Sequence, residues 1–268
     1  MATRPKLRSG QSSLLSTDLL AYYRQASRSL LTVVDVETTG SLAHKSRVIE
    51  VSVLQASLEE GIQRQQTYLI NPRSRIPWPI TQVTGITQEM IEDAEPPDTV
   101  WPKCRSWLNE GILTAHNLAF DYSFLQSEYR RLGNPFVRSV SEQLCTVLLS
   151  RILLADLPSR SLPNLVNHFG FGVGTSHRAE ADTLACWLLA EKLLTQIQQE
   201  PDEVILQRFS QQWMRLQDAA ALLKCPKKKA QEILEQAKVD YRLSQSNKGL
   251  LYRRGEVEGV FWERKQKI

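Results

Sequence analysis

A chain of 268 residues, 42% of them hydrophobic, can build one sizeable core and a small second domain. It holds no apolar run near the roughly 18 residues that a membrane-spanning helix needs, so a membrane protein of that kind is not expected. Its net charge of +4 is uneven: residues 1–30 carry five basic side chains against one acidic, residues 201–268 fourteen against nine, and the middle, 31–200, stands at −5. An acidic centre between basic flanks suits a protein that holds cations at its centre and a polyanion around it. The basic start, MATRPKLRSGQSSLLSTDLL, lacks a compact apolar stretch ending in small residues and reads as a non-secretory extension. Cys104, Cys145, Cys186 and Cys225 form no CxxC pair, which argues against zinc and against a disulfide framework and fits a reducing cytoplasm.

In chain order, TDLLAYYRQA (17–26) reads as a helix docked on the central domain. Residues 31–37, 47–56 and 63–70 read as three strands joined by short turns, an antiparallel start to a sheet. Asn71-Pro72 ends the third. Helical spacing follows over 87–94 and 97–109, then a short strand over 111–117 and a helix over 120–133 stopped by Gly133-Asn134-Pro135. Residues 141–154 and 161–169 read as helices, and a long helix runs from about Ala179 to Gln198. Pro201 marks a boundary. Three regions result: a basic extension with a short helix over 1–30, a central domain over 31–200 and a small basic domain over 201–268. Strands followed by alternating strand and helix predict an α/β fold with a mixed β-sheet flanked by helices.

VVDVETTG, residues 33–40, places Asp35 and Glu37 on one face of a strand, because side chains alternate with period two. Val34 and Val36 point to the other face. Two ionised carboxylates side by side repel and are costly to bury without positive compensation. A hard divalent cation such as Mg²⁺, which prefers oxygen ligands, supplies it; a pair of solvated acids on an edge strand is the other reading. AHNLAFD puts Asp121 at a helix opening, where acids are common for ordinary reasons. SHRAEAD puts His177 in the turn before the long helix and Asp182 in its first turn. A neutral imidazole near pH 7 is a natural general base, and it is equally an ordinary surface residue.

Taken in order, these segments resemble the DEDDh group of DnaQ-like 3′→5′ exonucleases of the RNase T superfamily. Asp35-Val36-Glu37-Thr38-Thr39-Gly40, His116-Asn117-Leu118-Ala119-Phe120-Asp121 and His177-Arg178-Ala179-Glu180-Ala181-Asp182 carry the likeness, with Val83-Thr84-Gly85-Ile86-Thr87 between the first two. It covers about 31–197. It implies an RNase H-like domain in which Asp35, Glu37, Asp121 and Asp182 hold two Mg²⁺ or Mn²⁺ ions over the last phosphodiester, with Asp35 bridging them. His177 would take a proton from the attacking water, releasing nucleoside 5′-monophosphates. Thr38, Thr39, Gly40, Asn117 and Phe120 would meet the terminal nucleotide. Relatives often place an apolar residue directly after the glycine; here Ser41 comes first, so Leu42 carries that role only by displacement, and His44 has no matching role.

Residues 215–237 read as two short helices around Cys225-Pro226, and VDYRLSQSNKGLLYRRGEV as two strands around a Ser-Asn-Lys-Gly turn. This small α+β domain reads as winged-helix-like, with Lys227, Lys228, Lys229, Lys248, Arg253 and Arg254 as candidate phosphate contacts. A packing or dimerisation appendage with a solvated basic face is the bland alternative. The substrate stays open among single-stranded DNA, duplex DNA ends and RNA. The core looks closer to polymerase III epsilon-type proofreading domains than to RNA-trimming branches, which points to DNA with a free 3′ end and to a polymerase or repair complex as partner. Two other classes compete: a catalytically silent nucleic-acid or polymerase binding module, and a DNA-binding regulator acting through 201–268.

Overall fold

In the computed structural model, residues 14–174, 177–244 and 249–266 are described. In chain order the elements are α1 (Ser16–Ala26), β1 (Leu31–Thr38), β2 (Val48–Ser57), β3 (Gly61–Leu69), α2 (Trp78–Thr84), α3 (Gln88–Glu92), α4 (Pro97–Leu108), β4 (Ile112–Ala115), α5 (Ala119–Arg131) and β5 (Gln143–Cys145). There follow α6 (Thr146–Leu153), α7 (Leu162–Phe169), α8 (Ala179–Gln199), α9 (Asp202–Ser210), β6 (Trp213–Arg215), α10 (Leu216–Leu222), α11 (Lys227–Gln236), β7 (Tyr241–Leu243), β8 (Leu250–Arg253) and α12 (Arg254–Gln266). Two compact units emerge. One holds Gln25–Leu149 and Leu157–Gln196; the other holds the described residues of Met1–Arg24, Ser150–Asp156 and Ile197–Ile268. No helix among the described residues is long and apolar enough to cross a membrane.

The first unit is built on a five-stranded sheet in the order β3-β2-β1-β4-β5. β1, β2 and β3 pair antiparallel, whereas β1–β4 and β4–β5 are parallel, so the sheet is mixed as the element order predicts. Val34 and Val36 on one face of β1 join Trp101, Leu108, Phe124 and Tyr129 in the main core. β2 departs from the sequence pattern in an informative way. Its alternation of polar and apolar residues does not mean a solvated face, since Glu50, Ser52 and Gln55 are all buried. Each has polar partners: Ser52 accepts from Thr67 Oγ1 at 3.0 Å, and Gln55 Nε2 donates to Thr32 Oγ1 at 3.1 Å.

Residues 83–87 combine three tasks. Gly85, at φ 70°, ends α2 in the left-handed region and donates its N–H to Thr81 O. Ile86 is fully buried, and Thr87 caps α3 by accepting the Met90 N–H. Sequence spacing predicts one helix over 141–154, but Val140–Glu142 form a 3₁₀ turn, β5 occupies Gln143–Cys145, and only Thr146–Leu153 are α-helical. Three residues are too few for a periodic signal; pairing with β4 decides their state.

The second unit follows the order α9, β6, α10, α11, β7, β8, α12, with its strands arranged β6-β8-β7. Met214, Ala220, Leu223, Ile233, Leu234, Tyr252 and Val257 form its core. α9, β6 and α12 are absent from the sequence reading. α12 begins on Arg254 with no loop after β8, and a Cβ at Gly255 would stand 2.8 Å from Ser210 Cβ, so only glycine permits that approach. The N-terminal helix sends Arg24 to Gln198 O near the end of α8 at 2.7 Å and to Asp202 at 2.6 Å, and Ser16 to Glu258 at 2.8 Å.

Candidate active site

β1 carries Asp35 and Glu37, both half-buried. In the β1–β2 register Asp35 lies opposite Ser52 and Glu37 opposite Glu50, after which the pairing shifts by a residue between Glu37 and Thr38. The turn beyond is tied down from both sides. Thr39 N–H donates to Arg47 O at 2.8 Å, Arg47 N–H returns to Thr39 Oγ1 at 2.9 Å, and Thr38 Oγ1 donates to Gly40 O at 2.8 Å. Leu42 is 39% exposed.

β4 accompanies β1 only as far as Val33. Beyond that point the Val36 N–H lacks a strand partner on this side, and Asp121 Oδ1 accepts it at 3.3 Å. Asp121 sits in the first turn of α5 and is 3% exposed. The preceding residues set that turn. His116 spans Thr146 Oγ1 and Arg160 O, each 2.9 Å from a ring nitrogen, so it acts as a strut. Asn117 takes φ 74°, and Phe120 leans on Phe124 at 4.9 Å between ring centroids. His177 is the other strained residue here, at φ 64°. It is exposed, and its N–H donates to Asp182 Oδ2 at 3.1 Å. Ligand-capable atoms of Glu37, His177 and Asp182 lie within 4.8 Å of one another.

The carboxylates feel each other. Burial first, then the charges of Asp121, Asp182, Glu37 and Glu50, push Asp35 well above the usual carboxylate range. Burial and the charges of Asp182 and Glu50 raise Glu37 to about 7, against a smaller opposing pull from Arg178. Burial raises Asp121 and Asp182 as well. Among the described residues the charges that shift Asp35 are all carboxylates, whereas Arg178 offsets part of the repulsion on Glu37. Four carboxylates, offering oxygen donors alone, fit hard divalent ions.

One residue of this site escaped the sequence reading. Glu50, 1% exposed, receives Arg178 Nη2 at 2.6 Å and the Ala179 N–H at 2.8 Å. It thereby caps α8 and holds the turn that carries His177. An acid inside a strand buried over nearly its whole length, opposite Glu37, was the available signal, legible only once the β1–β2 register is known. Among the basic candidates of the second unit, Lys227, Lys228 and Lys229 are exposed in the first turn of α11, and Lys248 lies outside the described residues. Arg254 is withdrawn as a surface contact. It is 1% exposed, with Nε donating to Gln212 Oε1 at 2.8 Å and Nη1 to Leu14 O at 2.6 Å, because α12 starts there and turns the side chain inward.

Residues 32–189 match the profile of the RNase T exonucleases, described as "Exonuclease". The chain belongs to this exonuclease family. Among relatives of this exonuclease, the PolC-type DNA polymerase III of Clostridium perfringens is 32% identical over 153 residues, covering 57% of this chain and 10% of the polymerase. That of Bacillus cereus is 29% identical over 191 residues, covering 70% and 13%. The chain thus spans a small part of the curated relatives it matches. In fold, exonuclease I aligns with a TM-score of 0.57 at 17% identity, over 68% of this chain and 43% of that one. E. coli exonuclease I in complex with a dT13 oligonucleotide aligns with a TM-score of 0.56 at 16% identity, over 63% and 41%. The mixed sheet flanked by helices is the RNase H-like exonuclease fold that the motifs imply.

Proposed function

We propose that the protein is a divalent-metal-dependent 3′→5′ exonuclease that releases nucleoside 5′-monophosphates from DNA. One observation carries this reading: Asp35, Glu37, Asp121 and Asp182, drawn from a strand and two helix openings, press on one another electrostatically, with Asp35 buried among carboxylates. These four carboxylates would hold Mg²⁺ or Mn²⁺. When bound, a pair of such ions supplies Lewis-acid activation of water and stabilisation of the leaving 3′ oxygen. A ring nitrogen of His177 accepts the proton of the attacking water, with the imidazole reaching solvent from a turn pinned by its own N–H to Asp182. Thr38, Thr39 and Gly40, braced by Arg47, form the floor for the terminal nucleotide beside Asn117 and Phe120. The rigid strand and capped helices supply the positional accuracy that such chemistry requires.

DNA is favoured because the similar chains are DNA polymerases, and a fold relative was solved with an oligonucleotide. A polymerase or repair complex is the matching partner, and residues 201–268 form an accessory domain. The test uses 5′-labelled single-stranded DNA, duplex DNA and RNA of one sequence, each with Mg²⁺, Mn²⁺ or EDTA, beside Asp35→Ala. A metal-dependent ladder shortening from the 3′ end, strongest on DNA and absent in the variant, is expected. Retained binding without cleavage of any substrate would instead identify a silent binding module.

A further inference from the structure

The outer face of the small sheet carries an unusual assembly. Trp213 on β6 is approached by two guanidinium groups: Arg253 of β8 at 4.0 Å and Arg242 of β7 at 4.2 Å from its ring centroid. The register explains the convergence. Trp213 pairs with Arg253, Arg215 with Leu251, and Leu251 in turn with Arg242. Side chains alternate across a strand, so Trp213, Arg215, Leu251, Arg253 and Arg242 share one face. Their neighbours Met214 and Tyr252 point to the other and are buried in the core. The outward positions of the three strands thus present three arginines, one tryptophan and Leu251, with Asp240 exposed just before β7. Arg253 is fixed further by donating from Nη1 to Gln211 O.

Two cations drawn to one ring each gain from the ring quadrupole, yet they repel one another. An anion reached by both guanidinium groups offsets the repulsion and leaves the stacking in place. Guanidinium forks match phosphate oxygens in pairs, and stacking on tryptophan orders them in advance, so less entropy is lost when phosphate arrives. The lysine run of α11 is less well prepared: among the described residues none of its side chains stacks on an aromatic ring, and Lys229 meets Glu232 at 3.3 Å.

We propose that this sheet face, through Arg242, Arg253 and Arg215 around Trp213, binds the phosphodiester backbone of the nucleic-acid strand that the exonuclease degrades. The proposal deepens the exonuclease reading and rests on it for the identity of the strand. It places the accessory grip on the sheet and not on the α11 lysines.

The test measures binding of a labelled 20-nucleotide single strand to the full chain by fluorescence anisotropy in EDTA, across a salt series. The double variant Arg242→Gln/Arg253→Gln is expected to bind about tenfold more weakly, with a salt slope shallower by roughly 1.4, the loss of two phosphate contacts on a single strand. Arg215→Gln, at an exposed position, gives a smaller loss in the same direction and guards against misfolding of the double variant. Arg242→Lys keeps charge but not stacking, and recovers only part of the affinity. Unchanged affinity and slope in the double variant and in Arg215→Gln, with native circular dichroism, overturns the proposal. So does a loss found only on replacing Lys227, Lys228 and Lys229. Because no cleavage is read, arginine-dependent binding by a chain that proves inactive on every substrate would sink the exonuclease reading while this surface stands.

Discussion

Glu50 and Arg178 meet at 2.6 Å beside the proposed catalytic carboxylates, and the same Glu50 accepts the Ala179 N–H that opens α8. The pair therefore anchors the short turn from which His177 and Asp182 project. Arg178→Ala leaves a buried carboxylate with one partner fewer, at a cost of about 2 kcal/mol once the half-exposed guanidinium is allowed for. Glu50→Gln keeps the shape but weakens both contacts. We expect Glu50→Gln to lower kcat about tenfold or more with little change in KM, as misplacement of a proton acceptor does. A KM effect with kcat intact would show that Glu50 serves the substrate and not the turn.

Asp35→Ala and Asp182→Ala should reduce cleavage by about 10³-fold or more, since each removes a donor from the proposed metal-holding set. The stability consequence runs the other way for Asp35. Its carboxylate is surrounded by negative charge, so Asp35→Asn should raise the thermal midpoint in EDTA. Calorimetry on the two proteins checks this; a lowered midpoint would mean that the carboxylate stabilises the metal-free fold.

His177→Ala should slow turnover by roughly 10²- to 10⁴-fold, the usual worth of a positioned acid–base group. Metal affinity, read by calorimetric titration of Mn²⁺, should survive. His177 does lie near Glu37 and Asp182 with ligand-capable atoms. An affinity loss as large as that of Asp35→Ala would make it a metal ligand.

Metal-free protein should lose stability as pH rises. Glu37 titrates at about 7 in the fold against an ordinary 4.5, so the folded state holds a proton that the unfolded state has already released. Stability is then full below about 4.5 and declines through the interval up to about 7, with Asp35 and Asp121 acting in the same direction. Urea midpoints at pH 5 and pH 8 in EDTA should differ accordingly, and saturating Mg²⁺ should narrow the gap. A higher midpoint at pH 8 in EDTA would contradict the electrostatic account.

Much of the candidate site was legible in the chain itself. Period-two alternation put Asp35 and Glu37 on one strand face, and helix-opening positions placed Asp121 and Asp182, because these depend on neighbours a few residues away. The order of the three motifs carried the family. The mixed sheet followed from short turns between early strands and helices between later ones.

What local pattern could not carry was set by distant partners. Glu50 becomes part of the site only through the antiparallel register that sets it opposite Glu37. β5 exists because β4 pairs with it, Arg254 is lost to the surface because α12 begins on it, and two arginines converge on Trp213 only when β6, β8 and β7 align. The sequence determined which residues could do the chemistry, since carboxylate spacing within one element is a property of the backbone repeat. Tertiary structure decided which charges are paired and which are crowded together, since burial and pairing across strands depend on residues far apart in the chain.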